Sequence, residues 1–109
     1  MAKQSGGGQP DMMKQIQALQ GRIAAAQQAL AETIIEASSG GGAVTVVLTA
    51  EPRMNSISIS ADVMDGSDVD MLQDLIMAAA NEALEKARAS QMQQLAGVAG
   101  GLNIPGLTG

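Results

Sequence analysis

The chain has 109 residues, 46% of them apolar and 16% charged, with a formal net charge of −5, enough for one small domain with one modest core. It contains no Cys, His, Phe, Tyr or Trp. That composition excludes disulfide frameworks, thiolate and imidazole metal sites, Ser-His-Asp catalysis and the aromatic platforms on which single-stranded nucleic acids stack.

Large apolar side chains comprise 9 Leu, 8 Ile, 6 Val and 8 Met, and 19 Ala make up the rest, so many buried positions must be small. So thin a core is naturally completed by a partner chain. Residues 1–9 are Gly-rich and read as a flexible tail. They lack the apolar stretch of a secretory signal, and no run approaches the roughly 18 apolar residues that span a membrane, so the expected location is the cytoplasm.

Pro10 suits the first turn of a helix, and Asp11 suits the positive end of its dipole. From there Met12, Ile16, Leu19, Ile23, Ala26 and Leu30 recur at alternating gaps of 4 and 3, the spacing of a coiled-coil-like stripe. A helix from Pro10 to Ala31 is about 33 Å long, more than a small sheet needs to cover it, so part of the stripe is expected to meet another chain. Gln15, Gln17, Gln20, Arg22, Gln27 and Gln28 lie between the stripe positions.

Composition then shifts to β-branched residues, punctuated by Gly40-Gly41-Gly42 and Glu51-Pro52-Arg53. Three strands fit: Thr33 to Ser38, Ala43 to Ala50 and Asn55 to Ala61. The second places Val44, Val46 and Leu48 on one face. The third places Ile57, Ile59 and Ala61 on one face and Ser56, Ser58 and Ser60 on the other, the habit of an antiparallel sheet with one side covered and one wet. Ser67-x-x-Asp70 has the form of a capping box, with Ser67 as N-cap and Asp68 and Asp70 in the first turn. The second helix then follows Leu72, Ile76, Ala79 and Ala83 to about Leu95, stopping before Gly97. The expected organisation is a tail over 1–9, one α+β domain over 10–96 and an irregular Gly-rich tail over 97–109.

Little in the chain suggests catalysis or metal binding. Asp62, Asp65, Asp68, Asp70 and Asp74 invite a divalent cation, but they lack EF-hand spacing and a closing Glu, and helix capping and solvation account for them. Glu32 and Glu36 have no companion nucleophile. Gly40-Gly41-Gly42 is followed by a strand, not by the Lys-Ser/Thr and helix of a phosphate loop. The methionines read as adaptable core or interface filler. No catalytic residue, metal or cofactor is expected.

The basic residues are few. Lys14 and Arg22 fall on the first helix, Arg53 at the hairpin between the second and third strands, and Lys86 and Arg88 late in the second helix. Each can reach a phosphate or serve as an ordinary solubilising charge. Charge is uneven: residues 1–31 carry Lys3, Lys14 and Arg22 against Asp11, while the rest of the chain is acidic. A globally acidic chain does not attract DNA strongly without such a local positive end.

Several segments in order resemble the YbaB/EbfC family of bacterial nucleoid-associated proteins. They are Met13-Lys14-Gln15-Ile16-Gln17, Gly40-Gly41-Gly42-Ala43-Val44-Thr45-Val46, Arg53 with Ser56-Ile57-Ser58-Ile59, and Met71-Leu72-Gln73-Asp74-Leu75-Ile76 leading to Ala78-Ala79-Ala80-Asn81-Glu82-Ala83. The ending Gly101-Leu102-Asn103-Ile104-Pro105-Gly106 is similar to the family's Gly-x-x-x-Pro-Gly tail. The resemblance implies an α-β-β-β-α protomer with a three-stranded antiparallel sheet and two long helices, forming an intertwined, tweezer-like homodimer that binds duplex DNA. It also implies DNA contact by basic residues near the helix ends, where Lys86 and Arg88 stand. Dimerisation that gathers Lys14, Arg22, Arg53, Lys86 and Arg88 outlines the two arms with positive charge. The expected function is non-enzymatic, sequence-tolerant DNA binding that organises the nucleoid or regulates genes. The alternative, motivated by the Ala- and Met-rich helices and the net acidity, is a dimeric module that recruits a DNA replication or recombination protein without gripping DNA.

Overall fold

A computed structural model describes residues 8–66 and 68–100. The order is α1 (Gly8–Glu32), β1 (Ile34–Ser39), β2 (Val44–Thr49), β3 (Arg53–Ile59), a 3-10 turn at Ala61–Val63, and α2 (Val69–Gly100). The α+β arrangement expected from the pattern is present, with both helices slightly longer than expected. The sheet order is β1-β2-β3, antiparallel throughout.

Alternation in β2 does what its sequence predicts. Val44, Val46 and Leu48 are buried, and with Ala37 of β1 they pack against Ala79, Ala83 and Ala87 of α2. The three alanines recur every fourth residue, so one narrow strip of α2 lies close to the sheet and the core is one helix on one sheet face. Ile35, Ile59, Leu72, Leu75, Ile76 and Ala80 border it, partly buried.

Local hydrogen bonds explain the element ends. The Thr33 hydroxyl donates to the Ala29 carbonyl at 2.5 Å, and the Thr33 N–H donates to the Leu30 carbonyl at 3.3 Å, which closes α1. The β1–β2 connection takes positive φ at Gly40, Gly41 and Gly42, a run that residues bearing a Cβ rarely tolerate. It is bonded as a turn, Gly42 N–H to Ser39 carbonyl and Ala43 N–H to Gly40 carbonyl, so the flexible connection expected there is a defined one. The Ser39 hydroxyl donates to the Leu75 carbonyl at 2.5 Å and fastens this hairpin to α2. At the start of α2 the Asp68 carboxylate accepts from the Met71 N–H at 2.9 Å, as a capping side chain does. The N-cap expected at Ser67 lies outside the described residues.

Two expectations need correcting. The third strand is not covered: Ile57 remains 45% exposed and only Ile59 is partly buried, because α2 runs over β1 and β2 and stops short of β3. Ala61 has left the strand for the 3-10 turn. Helix α2 also does not stop before Gly97 but continues through Gly97 to Gly100. A Cβ at Gly97 would meet nothing within 4 Å, so close packing does not demand this glycine. Its propensity cost of about 1 kcal/mol is outweighed by contact with α1 along the same stretch. Residues 1–7 and 101–109, which cover most of the two expected tails, lie outside the described residues.

Candidate nucleic-acid interface

The two helices make an arm. Arg22, Ala25 and Ala26 of α1 face Gln94, Gly97 and Val98 of α2, while Gln27 and Leu30 face Gln91. Advancing along α1 thus means retreating along α2, so the pair is antiparallel, and since Arg22 stands opposite Gly97 the first turns of α1 reach past Gly100 to form the tip. At its base the Gln91 amide donates to the Ala50 carbonyl at 2.7 Å, tying the arm to the sheet. The molecule measures 82 × 28 × 16 Å with a radius of gyration of 22.0 Å. A compact chain of this length has a radius near 13 Å, so the arm projects well beyond the body.

Charge divides along the same axis. Between residues 8 and 31 and from Arg88 onward, Lys14, Arg22 and Arg88 stand against Asp11 alone, a formal +2. Between residues 32 and 87, ten acidic residues stand against Arg53 and Lys86, a formal −8. The cationic arm is invisible in the net charge, because residues 66 positions apart, Arg22 and Arg88, come onto one arm only through the antiparallel pairing. The arm is also rich in glutamine, with Gln15, Gln17, Gln20, Gln91, Gln93 and Gln94. Such amides donate hydrogen bonds without adding charge.

The five basic residues singled out in the sequence do not form one patch. Lys14 is exposed toward the tip of the arm, and Arg22 lines a groove of about 400 Å³ between the helices. Arg53 opens β3 beside the β2–β3 turn, exposed, with its backbone N–H donating to the Thr49 hydroxyl at 3.1 Å. Because α2 extends to Gly100, Lys86 and Arg88 sit near its middle and not near its end, a correction to the sequence reading. They flank the buried Ala87 at about 100° on either side. The Lys86 ammonium donates to the Glu36 carbonyl at 2.9 Å and so covers part of the β1 edge. Arg88 emerges on the opposite flank of the helix, exposed, where the arm begins.

That flank carries a further feature the sequence did not reveal. Met77 and Leu84 share it with Arg88 by helical spacing, and since the Lys86 flank reaches β1, this one faces β3. Met54 and Ile57 pair with Leu48 and Val46 and therefore stand on the same sheet face as the core. A bulge at the Val47/Leu48 step brings Met54 into that row. Met54, Ile57, Met77 and Leu84 are all substantially exposed, leaving an apolar cleft over β3 beside α2.

Among the described residues no nucleophile and base are brought together. Three grooves of about 400, 290 and 460 Å³ follow the arm, and none brings two ionisable side chains together. Among the described residues no group of three or more acidic side chains is placed to hold a metal ion, and no helix is long and apolar enough to cross a membrane.

An acidic α+β body with a projecting, cationic pair of antiparallel helices is the class of architecture these elements build. The chain belongs to the YbaB/EbfC DNA-binding family, which it matches over residues 6–102. It is 48% identical over 104 residues to a nucleoid-associated protein of Alkaliphilus metalliredigens, covering 93% of this chain and 91% of the relative. It is 45% identical over 95 residues to a nucleoid-associated protein of Syntrophobacter fumaroxidans, covering 87% and 86%. The fold is similar to the crystal structure of an uncharacterized protein from Helicobacter pylori, with a TM-score of 0.68 at 17% identity over 75% of this chain and 86% of that one.

Proposed function

We propose that this protein is a homodimeric, sequence-tolerant duplex DNA-binding protein of the bacterial nucleoid, which grips phosphates with its helical arms and performs no catalysis. The match to a DNA-binding family along nearly the whole chain carries the reading. Segregation of charge supports it, since an arm of formal +2 on a body of −8 gives a polyanion one place to approach. Lys14, Arg22 and Arg88 make the principal phosphate contacts in this account. Arg53 and Lys86 contribute less, since both lie within the acidic stretch of residues 32–87.

Two copies associate through the cleft over β3. Met54, Ile57, Met77 and Leu84 are the apolar surface that the protomer's own helix leaves uncovered, and a symmetric pair covers each copy's cleft with the other. Two arms then project from one acidic body and can straddle a duplex.

The test is substitution on unrelated sequences. Arg22→Gln and Arg88→Gln should weaken binding to two duplexes of different sequence about equally, because phosphate contacts carry no base information. Loss on one duplex only would indicate base reading and overturn sequence tolerance. Unchanged affinity on both would remove the arm from the interface.

A further inference from the structure

The strip of α2 that lies on the sheet breaks its own pattern. Ala79, Ala83 and Ala87 are buried at a spacing of four, and the next position at that spacing is Gln91, a polar residue that is partly buried. There the strip reaches Ala50, just past the end of β2 and 0% exposed. The Ala50 N–H donates to the Thr33 carbonyl at 3.0 Å, and the Ala50 carbonyl accepts from the Gln91 amide at 2.7 Å. Thr33 in turn closes α1 through its N–H on the Leu30 carbonyl. One chain of hydrogen bonds therefore runs from the end of α1 through a buried backbone unit to α2. A buried carbonyl needs a donor, and the alanine or leucine that the strip otherwise favours supplies none.

We propose that Gln91 is a positioning residue for DNA binding: by holding the Ala50 carbonyl it fixes the direction in which the arm leaves the body, and with it where Lys14 and Arg22 meet phosphates. The inference rests on the DNA reading above and adds to it a residue that acts through others. Packing alone does not set that direction. Beside Gln91 a groove of about 460 Å³ opens between Gln27 and Leu30 of α1 and Glu51 and Pro52 of the β2–β3 turn. The arm is a lever about this point. Gln27 stands opposite Gln91, and Lys14 lies about 20 Å farther along α1, so a swing of about 10° displaces Lys14 by about 3.5 Å, more than the length of a hydrogen bond. Two arms that engage one duplex together lose effective concentration when each samples such a range.

Absence of cysteine makes the test direct. Gln20→Cys on α1 and Ser56→Cys on β3, both at exposed positions, carry nitroxide labels in the full-length chain. The distance between them within one chain is read without DNA by double electron–electron resonance, after dilution into unlabelled protein and below the onset of thermal unfolding. The parent should give one narrow distribution. Gln91→Leu should broaden it, whereas Gln93→Leu, the same change at an exposed position two residues on, should not. Across a salt series Gln91→Leu should weaken duplex binding about fivefold while keeping the slope of log affinity against log salt, because every cation is still present. A parent distribution that is already broad would overturn the proposal without any variant. Unchanged width in Gln91→Leu, broader distances with unchanged affinity, or a shallower salt slope would each overturn it too. A parent that does not bind the duplex would overturn the DNA reading and this inference with it, while the distances, taken without DNA, still report separately on the Gln91 bond.

Discussion

Ile57 separates the isolated protomer from the associated pair. Its side chain sits on β3, 45% exposed, on the sheet face that α2 covers elsewhere. Fully burying an isoleucine contributes about 1.5–3 kcal/mol, so covering the exposed fraction contributes about 0.7–1.4 kcal/mol per copy. A symmetric interface counts the residue twice, and Ile57→Ser should cost about 1.4–2.7 kcal/mol of association, a weakening of the dimer of about 10- to 100-fold. The remainder of the side chain is already covered within the protomer, so Tm falls whether or not the copies associate. Association must therefore be read directly, by sedimentation equilibrium across a concentration series. Ile34→Ser is the control, since Ile34 pairs with Thr49 and so stands on the opposite sheet face from the cleft, and its loss should leave the dissociation constant unchanged. An Ile57→Ser protein that associates as tightly as the parent would refute the cleft as the interface. A parent chain that sediments as a folded monomer at micromolar concentration would refute the dimer itself.

Further outcomes follow from the core and the hairpin. Leu48 is 1% exposed in the single layer between β2 and α2, and Leu48→Ala should lower stability by about 3 kcal/mol in urea denaturation, as a cavity in a thin core cannot be filled from a second layer. Gly40→Ala places a Cβ 3.0 Å from a Leu75 methyl at a φ of +62°, and should cost about 1–2 kcal/mol by thermal denaturation, more than Gly41→Ala, whose Cβ meets nothing within 4 Å. Lys86→Ala removes the bond to the Glu36 carbonyl and should cost about 0.5 kcal/mol of stability while changing DNA affinity far less than Arg22→Gln does.

Much of the fold was legible because its signals are local. The 4-and-3 spacing of Met12 through Leu30 marks α1, and strict alternation in Val44, Val46 and Leu48 marks both β2 and its buried face. What local pattern could not supply was the number of strands one helix covers. Ile57 alternates as correctly as Val46, yet Val46 lies under α2 and Ile57 beyond it. Gly97 misled for a related reason, since a propensity signal worth about 1 kcal/mol yields to packing against a partner helix. The candidate site was legible as a set of cations but not as an arrangement. Only the antiparallel pairing of α1 with α2 places Arg22 and Arg88 on one arm, and only the 2.9 Å bond to Glu36 gives Lys86 a structural partner.

The central claim is that the arms bind DNA through phosphates. The direct measurement is fluorescence anisotropy of a labelled random-sequence duplex titrated with the protein across a salt series. Three cations per arm and two arms give about six phosphate contacts, so log affinity should fall against log salt with a slope near −5, and each arm substitution should make that slope shallower by about 2. No binding at low salt, or binding indifferent to salt, would contradict the account.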